Sequence, residues 1–288
     1  MRVSSLAGLS FAFVLSTSHA SPILSPRSVP SSLYEEFVLY TKYSSAAYQL
    51  VCPRPLGKTL IQSFEVGRTQ GFIARDADRE EIVVSFRGTF SLKDAVTDAK
   101  VFLKPFVSPG IELNNVNVHH GFLDAYNNVA YDVLGTVRAE LQKFPTYRVV
   151  VTGHSLGGAI ASLAAPSLKN ALPNADIRLF TFGQPRVGND KYARYVEDLI
   201  GVENIFRAVH TFDGVPTMVP LVWGYEHFAT EYWQFRDPPP FTSPHATVIR
   251  CDGGEDPSCS DSIPSTGINA FHTFYFGQVM AANPFLCA

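Results

Sequence analysis

Five residues near the middle of the chain, Gly153-His154-Ser155-Leu156-Gly157, leave few folds open. They follow the β-branched run Arg148-Val149-Val150-Val151-Thr152 and precede a stretch of small residues, Gly158-Ala159-Ile160-Ala161-Ser162-Leu163. A strand that turns so abruptly into a helix needs neighbours without bulk, and Gly153 and Gly157 supply them. The serine is then lifted above the sheet edge at a helix N-terminus, where aligned peptide dipoles favour negative charge. The pattern predicts a nucleophile elbow with Ser155 at its tip, in preference to an ordinary glycine-rich turn.

Around the elbow, helical and strand-like patterns alternate. Tyr34, Phe37, Val38, Tyr40 and Ala47 recur at helical spacing, and Ile82-Val83-Val84-Ser85-Phe86 reads as a buried strand. Phe122, Tyr126, Val129, Val133, Val137 and Leu141 step by three or four, which predicts one continuous helix ending before Pro145. Further strands are expected at 147–152, 177–182, 205–209 and 246–251. The segments between the successive strands are long enough for crossovers, so an α/β fold with a mainly parallel central sheet covered by helices follows.

The first twenty residues have a different organisation. Arg2, an apolar run over 6–15 and the small-x-small site Ser18-His19-Ala20 are the parts of a secretory signal. Residues 21–32, rich in Ser and Pro, are expected to form an N-terminal arm or short pro-segment, and 33–288 a single domain large enough for a deep core. No later stretch of 18 apolar residues occurs, so no spanning helix is expected. The 23 Lys and Arg against 26 Asp and Glu give a formal net charge of −3. Without a basic run to track phosphates, nucleic-acid binding is not expected.

Export also gives the four cysteines a reading. Cys52, Cys251, Cys259 and Cys287 allow three pairings in an oxidising compartment. Cys251 and Cys259 bracket a Gly/Asp/Pro/Ser loop that suits a local bridge, leaving Cys52 to pair with Cys287. Neither Cys-x-x-Cys nor a Cys/His ligand cluster is present, Glu226-His227-Phe228-Ala229-Thr230-Glu231 is not a His-Glu-x-x-His zinc motif, and the 183–188 glycines lack the Lys-Ser/Thr of a phosphate loop. Neither metal nor organic cofactor is expected.

A serine hydroxyl needs a histidine to take its proton and an acid to orient that histidine, in the order Ser, acid, His for an elbow of this type. Four histidines follow Ser155: His210, His227, His245 and His272. His272 lies in the last loop before an aromatic C-terminal segment and is the expected base. His210 and His227 read as structural groups and His245 as exposed loop. Among the eight later aspartates, Asp213 is delivered to a turn at Gly214 by a strand-like run, where such sites assemble at the carboxyl ends of strands. Asp190 is the competitor, though it reads as the cap of the following helix. The elbow also offers the backbone N–H of Leu156 as one oxyanion donor.

Taken in order, Phe86-Arg87-Gly88-Thr89, His120-Gly121-Phe122, the elbow, Phe182-Gly183-Gln184-Pro185-Arg186-Val187-Gly188, Asp213-Gly214-Val215-Pro216, Glu231-Tyr232-Trp233, and His272 with Tyr275-Phe276-Gly277 resemble the fungal extracellular class 3 lipases, a family that includes feruloyl esterases. The resemblance covers nearly the whole chain after residue 20. It implies an α/β-hydrolase fold, a Ser155–Asp213–His272 triad, the same two disulfides, and Thr89 as second oxyanion donor. It further implies that the segment holding Phe90, Leu92 and Val96 is a lid. Ala95 stands where many relatives have Trp, which narrows the apolar face of that lid. The expected protein is a secreted, monomeric serine ester hydrolase acting on acylglycerols at a lipid–water interface, with hydroxycinnamate esters of plant cell walls as the alternative substrate.

Overall fold

The computed structural model describes residues 28–89 and 101–288. Helix α1 (Ser31–Ala46) comes first and begins two residues before the boundary expected at 33. Ser28 bridges Ile249 and Val29 is buried, so this end of the arm packs against the fold. Strands β1 (Thr59–Val66), β2 (Thr69–Asp76) and β3 (Glu81–Phe86) follow, then a separate hairpin of β4 (Leu103–Ser108) and β5 (Ile111–His119). Next come α2 (His120–Asn127), α3 (Ala130–Lys143), β6 (Arg148–His154), α4 (Leu156–Ala171), β7 (Ile177–Phe182), α5 (Asp190–Ile200) and β8 (Ile205–His210). The chain closes with β9 (Glu231–Gln234), β10 (Val248–Arg250) and a small hairpin of β11 (Phe274–Tyr275) and β12 (Gln278–Val279).

The eight-stranded sheet has the order β1-β2-β3-β6-β7-β8-β9-β10. Strands β3, β6, β7, β8 and β9 run parallel, while β1 and β2 on one side and β10 on the other are antiparallel additions. Successive residues of a strand face opposite sides, and both sides here are covered. Ile82, Val84, Val149, Val151 and Leu179 pack with Val133, Val137, Ala161, Ala164 and Val196 of the helices on one face. Val83, Val150 and Phe180 point the other way, under α1. There the Phe37 ring stacks on Phe276 at 4.9 Å and meets Phe180 edge-on at 5.9 Å.

Three features differ from the sequence expectation. The apolar face from Phe122 to Val137 is buried throughout, but two helices carry it, with Val129 outside helical geometry between them. Asn127 explains the break: its amide donates to the Val107 carbonyl at 2.9 Å and its oxygen accepts from Ser108 Oγ at 2.5 Å. The side chain thus serves β4 while the backbone turns, as short polar residues near helix ends do. Over 246–251 only Val248–Arg250 is strand, because Pro244–Thr247 forms a 3-10 turn closed by Thr247 Oγ1 on the Pro244 carbonyl at 2.7 Å. The antiparallel additions β1 and β2 and the β4–β5 hairpin have no counterpart in the predicted elements.

Cys52 is bonded to Cys287 and Cys251 to Cys259. The first bridge ties the segment after α1 to the end of the chain.

Candidate active site

Three carboxyl ends of the fold converge. Strand β6 ends at His154 and α4 begins at Leu156, leaving Ser155 alone at the turn with φ 60° and ψ −127°. Such a conformation is strained for a residue with a side chain and is tolerated where the surroundings enforce it. Here the enforcement is close packing. A Cβ on Gly153 would lie 2.3 Å from the Gly157 carbonyl oxygen, and one on Gly157 would lie 2.2 Å from that of Phe86. The Ser155 N–H donates to the Phe182 carbonyl at 2.8 Å, which pins the elbow to the end of β7.

Asp213 follows β8 in a turn closed by its own N–H on the His210 carbonyl at 2.9 Å. His272 sits in the 3-10 turn Ala270–Thr273 ahead of β11, capped by the Asn269 side chain accepting from the Phe271 N–H. The three side chains are buried and connected. Ser155 Oγ lies 2.8 Å from His272 Nε2, and His272 Nδ1 lies 2.9 Å from Asp213 Oδ2. A carboxylate only accepts, so Nδ1 carries the proton and the free Nε2 lone pair faces the serine hydroxyl. Asp213 Oδ1 takes the Val215 N–H at 2.9 Å, and Oδ2 also accepts from the Tyr275 hydroxyl. Burial, reinforced by the Asp213 charge, holds the Tyr275 phenol well above its usual range, so it remains a donor.

Two residues of this arrangement were not singled out by the sequence. Tyr275 lies three positions after His272, on the strand that leaves the turn, and only the folded geometry returns its hydroxyl to Asp213. Gly183, φ +57°, lies where a Cβ would meet Asp213 Oδ2 at 2.7 Å and His272 Nδ1 at 2.9 Å. Any side chain there would intrude on the pair. Glycine inside Phe182-Gly183-Gln184-Pro185 was the available signal.

The Leu156 N–H opens the 16-residue helix α4 and is placed beside Ser155 by chain connectivity. Thr89 is half-buried three residues beyond the end of β3, whose last residue, Phe86, pairs with Gly153 and abuts Gly157. Both are therefore on the elbow's side of the sheet edge. Phe90, Leu92 and Val96 lie outside the described residues.

The remaining candidates have structural surroundings. Asp190 pairs with Arg194 at the surface, 2.5 Å away, and the cap of α5 is instead Asn189, whose side chain accepts from the Tyr192 N–H at 3.0 Å. His227 is buried with Nε2 2.9 Å from the Pro216 carbonyl, His210 is buried with each ring nitrogen 3.0 Å from an acceptor oxygen, and His245 is half-buried. Among the described residues, one group of ligand-type side chains meets: Glu231, Cys251 and Cys259. Its sulfurs are bonded to each other and Glu231 is paired with Arg207 at 3.0 Å, so the donors are already committed.

This fold, with a serine at a strand–helix elbow, is that of an α/β-hydrolase. The family described as Lipase (class 3) matches residues 83–223. The secreted mono- and diacylglycerol lipase A of Penicillium cyclopium is 31% identical, covering 98% of this chain and 96% of that protein. The secreted mono- and diacylglycerol lipase 1 of Fusarium solani is 36% identical over 74% of this chain, and the match spans only 61% of its length. Among solved structures, a lipase from Rhizopus microsporus var. chinensis superposes with a TM-score of 0.78 at 33% identity, over 90% of this chain and 93% of that one. The chain belongs to the class 3 lipase family.

Proposed function

We propose that the protein is a secreted carboxylic-ester hydrolase acting on acylglycerols through an acyl-enzyme. The observation that carries this reading is the unbroken chain of hydrogen bonds from Ser155 Oγ through His272 to Asp213. Ser155 attacks the ester carbonyl while its proton passes to His272 Nε2, and Asp213 stabilises the imidazolium that forms. The oxyanion is met by the backbone N–H of Leu156 and by Thr89, at the positive end of α4. His272 then protonates the departing alkoxide, which leaves as the alcohol. Water, deprotonated by the same nitrogen, attacks the acyl-enzyme and releases the carboxylic acid.

Acylglycerol as substrate is supported by the names of the Penicillium and Fusarium relatives and by apolar side chains on the loops that carry the site. Phe212 and Phe271, each next to a triad member, are 55% and 39% exposed with ring centroids 5.5 Å apart. Exposed apolar surface beside a reactive serine suits contact with a lipid–water interface. Secretion is supported by the signal-like first twenty residues and by two disulfides. In this reading residues 1–20 are removed, the arm expected over 21–32 ends where α1 begins at Ser31, and the chain from there acts as one domain. The test is Ser155→Ala together with an organophosphonate probe. Loss of ester turnover and of labelling is expected, and wild-type turnover by the variant would overturn the mechanism.

A further inference from the structure

Two histidines with no part in the proposed chemistry converge on the turn that presents His272. His154, the residue before the nucleophile, has Nε2 2.7 Å from the His272 carbonyl oxygen and Nδ1 2.7 Å from Tyr48 Oη. A carbonyl can only accept, so Nε2 holds the proton and Nδ1 takes the phenolic hydrogen of Tyr48. Burial keeps the His154 ring neutral and pushes the Tyr48 phenol up, so these roles do not exchange. Gly88, just before Thr89, lies against the same pair: a Cβ there would come within 2.1 Å of Tyr48 Oη and 2.6 Å of the His154 carbonyl oxygen. From the other side, His210 places Nδ1 3.0 Å from the Phe271 carbonyl oxygen, with Asp237 3.0 Å from its Nε2.

The two carbonyls are consecutive. Rings from β6 and β8, the strands that deliver Ser155 and Asp213, therefore hold the backbone of the turn at Phe271 and at His272. These bonds act on a turn at the surface: Ala270 and Thr273 are exposed and Phe271 is 39% exposed, while His272 is buried between its two partners. We propose that His154 and His210 are positioning residues, each fixing one backbone carbonyl so that the His272 imidazole stays aligned between Ser155 and Asp213. The Tyr48–His154 pair extends this alignment to the strand end that carries Thr89. This inference rests on the hydrolase reading above. Displacing a catalytic group by about 1 Å can lower the rate about a hundredfold.

The experiment uses the full secreted chain and a soluble butyrate ester, with kcat, KM, the rate of Ser155 phosphonylation and thermal unfolding measured for each variant. His154→Leu and His210→Leu remove the bonds. His154→Gln and His210→Asn return an amide N–H to the position of the bonding nitrogen. Both Leu variants are expected to lose kcat by roughly ten- to a hundredfold at unchanged KM, with phosphonylation slowed in parallel. Most of that loss should be recovered by Gln and Asn. Folded Leu variants with wild-type kcat would overturn the proposal, and so would amide variants as slow as the Leu ones. Should the Leu variants not fold, Tyr48→Phe keeps the ring volume and deletes only the donor to His154. It is expected to slow kcat several-fold, and an unchanged kcat would count against the proposal. Ser155→Ala is run beside them: turnover surviving in that variant would remove the hydrolase reading itself, whatever the histidines do.

Discussion

Tyr275 and His272 donate to the same oxygen of Asp213, Oδ2. The carboxylate is buried, so every donor it keeps in place of water lowers the penalty of leaving solvent. With Val215 N–H on Oδ1, the aspartate is held from both ends and its orientation is fixed.

Removing the phenol tests that division of labour. A hydrogen bond to a charged acceptor contributes about 1.5–3 kcal/mol, so Tyr275→Phe should lower unfolding stability by about 2 kcal/mol in a urea titration. Because the carboxylate then has one restraint fewer, kcat on a soluble ester should fall roughly tenfold with KM unchanged. A variant that loses stability but keeps its kcat would show that His272 and Val215 alone orient Asp213.

The catalytic candidates were legible in the sequence because each adjoins a strongly patterned strand or a distinctive short segment. Ser155 needed only its two glycines and the runs on either side, and Asp213 only the strand before Gly214. Tyr275 and Gly183 were not legible as parts of the site, since nothing local says that a phenol three residues from His272 returns to Asp213, or that Gly183 borders the same pair. The helix break at Asn127 was hidden for a related reason. Its apolar period continues across the break, and the competing partners, Val107 and Ser108, come from a hairpin about twenty residues earlier. Strand β1 carries no such signal because it is an edge strand with mostly half-buried or exposed residues, without the continuous apolar run of β3 or β6.

The two disulfides should not be equivalent. Cys52–Cys287 closes a separation of 235 residues and Cys251–Cys259 one of 8. In the chain-entropy account these stabilise by about 5 and about 2.5 kcal/mol respectively. Paired Cys→Ser replacement of the long-range bridge should therefore lower Tm by about 10 °C and that of the local bridge by about half as much. Scanning calorimetry of the two double variants decides it, and equal losses would mean that the bridges act mainly through native-state packing.

Acid should destabilise the protein well before its carboxylates protonate. Burial holds His119 down to about 4 and keeps His154 and His227 well below the ordinary value of 6.5. These rings are neutral when folded but gain protons when unfolded below pH 6.5, so the unfolded state binds more protons and stability falls as pH drops from 6.5 towards the folded values. Each contributes about 1.4 kcal/mol per pH unit in that window and nothing above it. Urea unfolding at pH 7, 6 and 5 should show this slope. His119 also caps α2 by accepting from the Phe122 N–H at 3.3 Å. His119→Asn keeps a capping acceptor while deleting one titrating ring, and should flatten the slope by about a third. An unchanged slope would mean that His119 is not held neutral in the folded protein.

The last prediction concerns what enters the site. Phe212 and Phe271 project from the loops of Asp213 and His272, and Ile268, 41% exposed, lies just before the His272 turn. A small soluble ester can cover only part of these half-exposed rings, whereas a lipid surface would bury more of both. The purified protein should hydrolyse emulsified long-chain triacylglycerol faster than methyl ferulate, with the rate rising once droplets form. Burying a phenyl ring is worth on the order of 1.5–3 kcal/mol, of which partial insertion recovers a part. Phe212→Ser combined with Phe271→Ser should then lower the emulsion rate about tenfold while a soluble butyrate ester is turned over as before. Faster turnover of methyl ferulate, with triacylglycerol left uncleaved, would replace the acylglycerol reading with that of an esterase for plant cell-wall hydroxycinnamates.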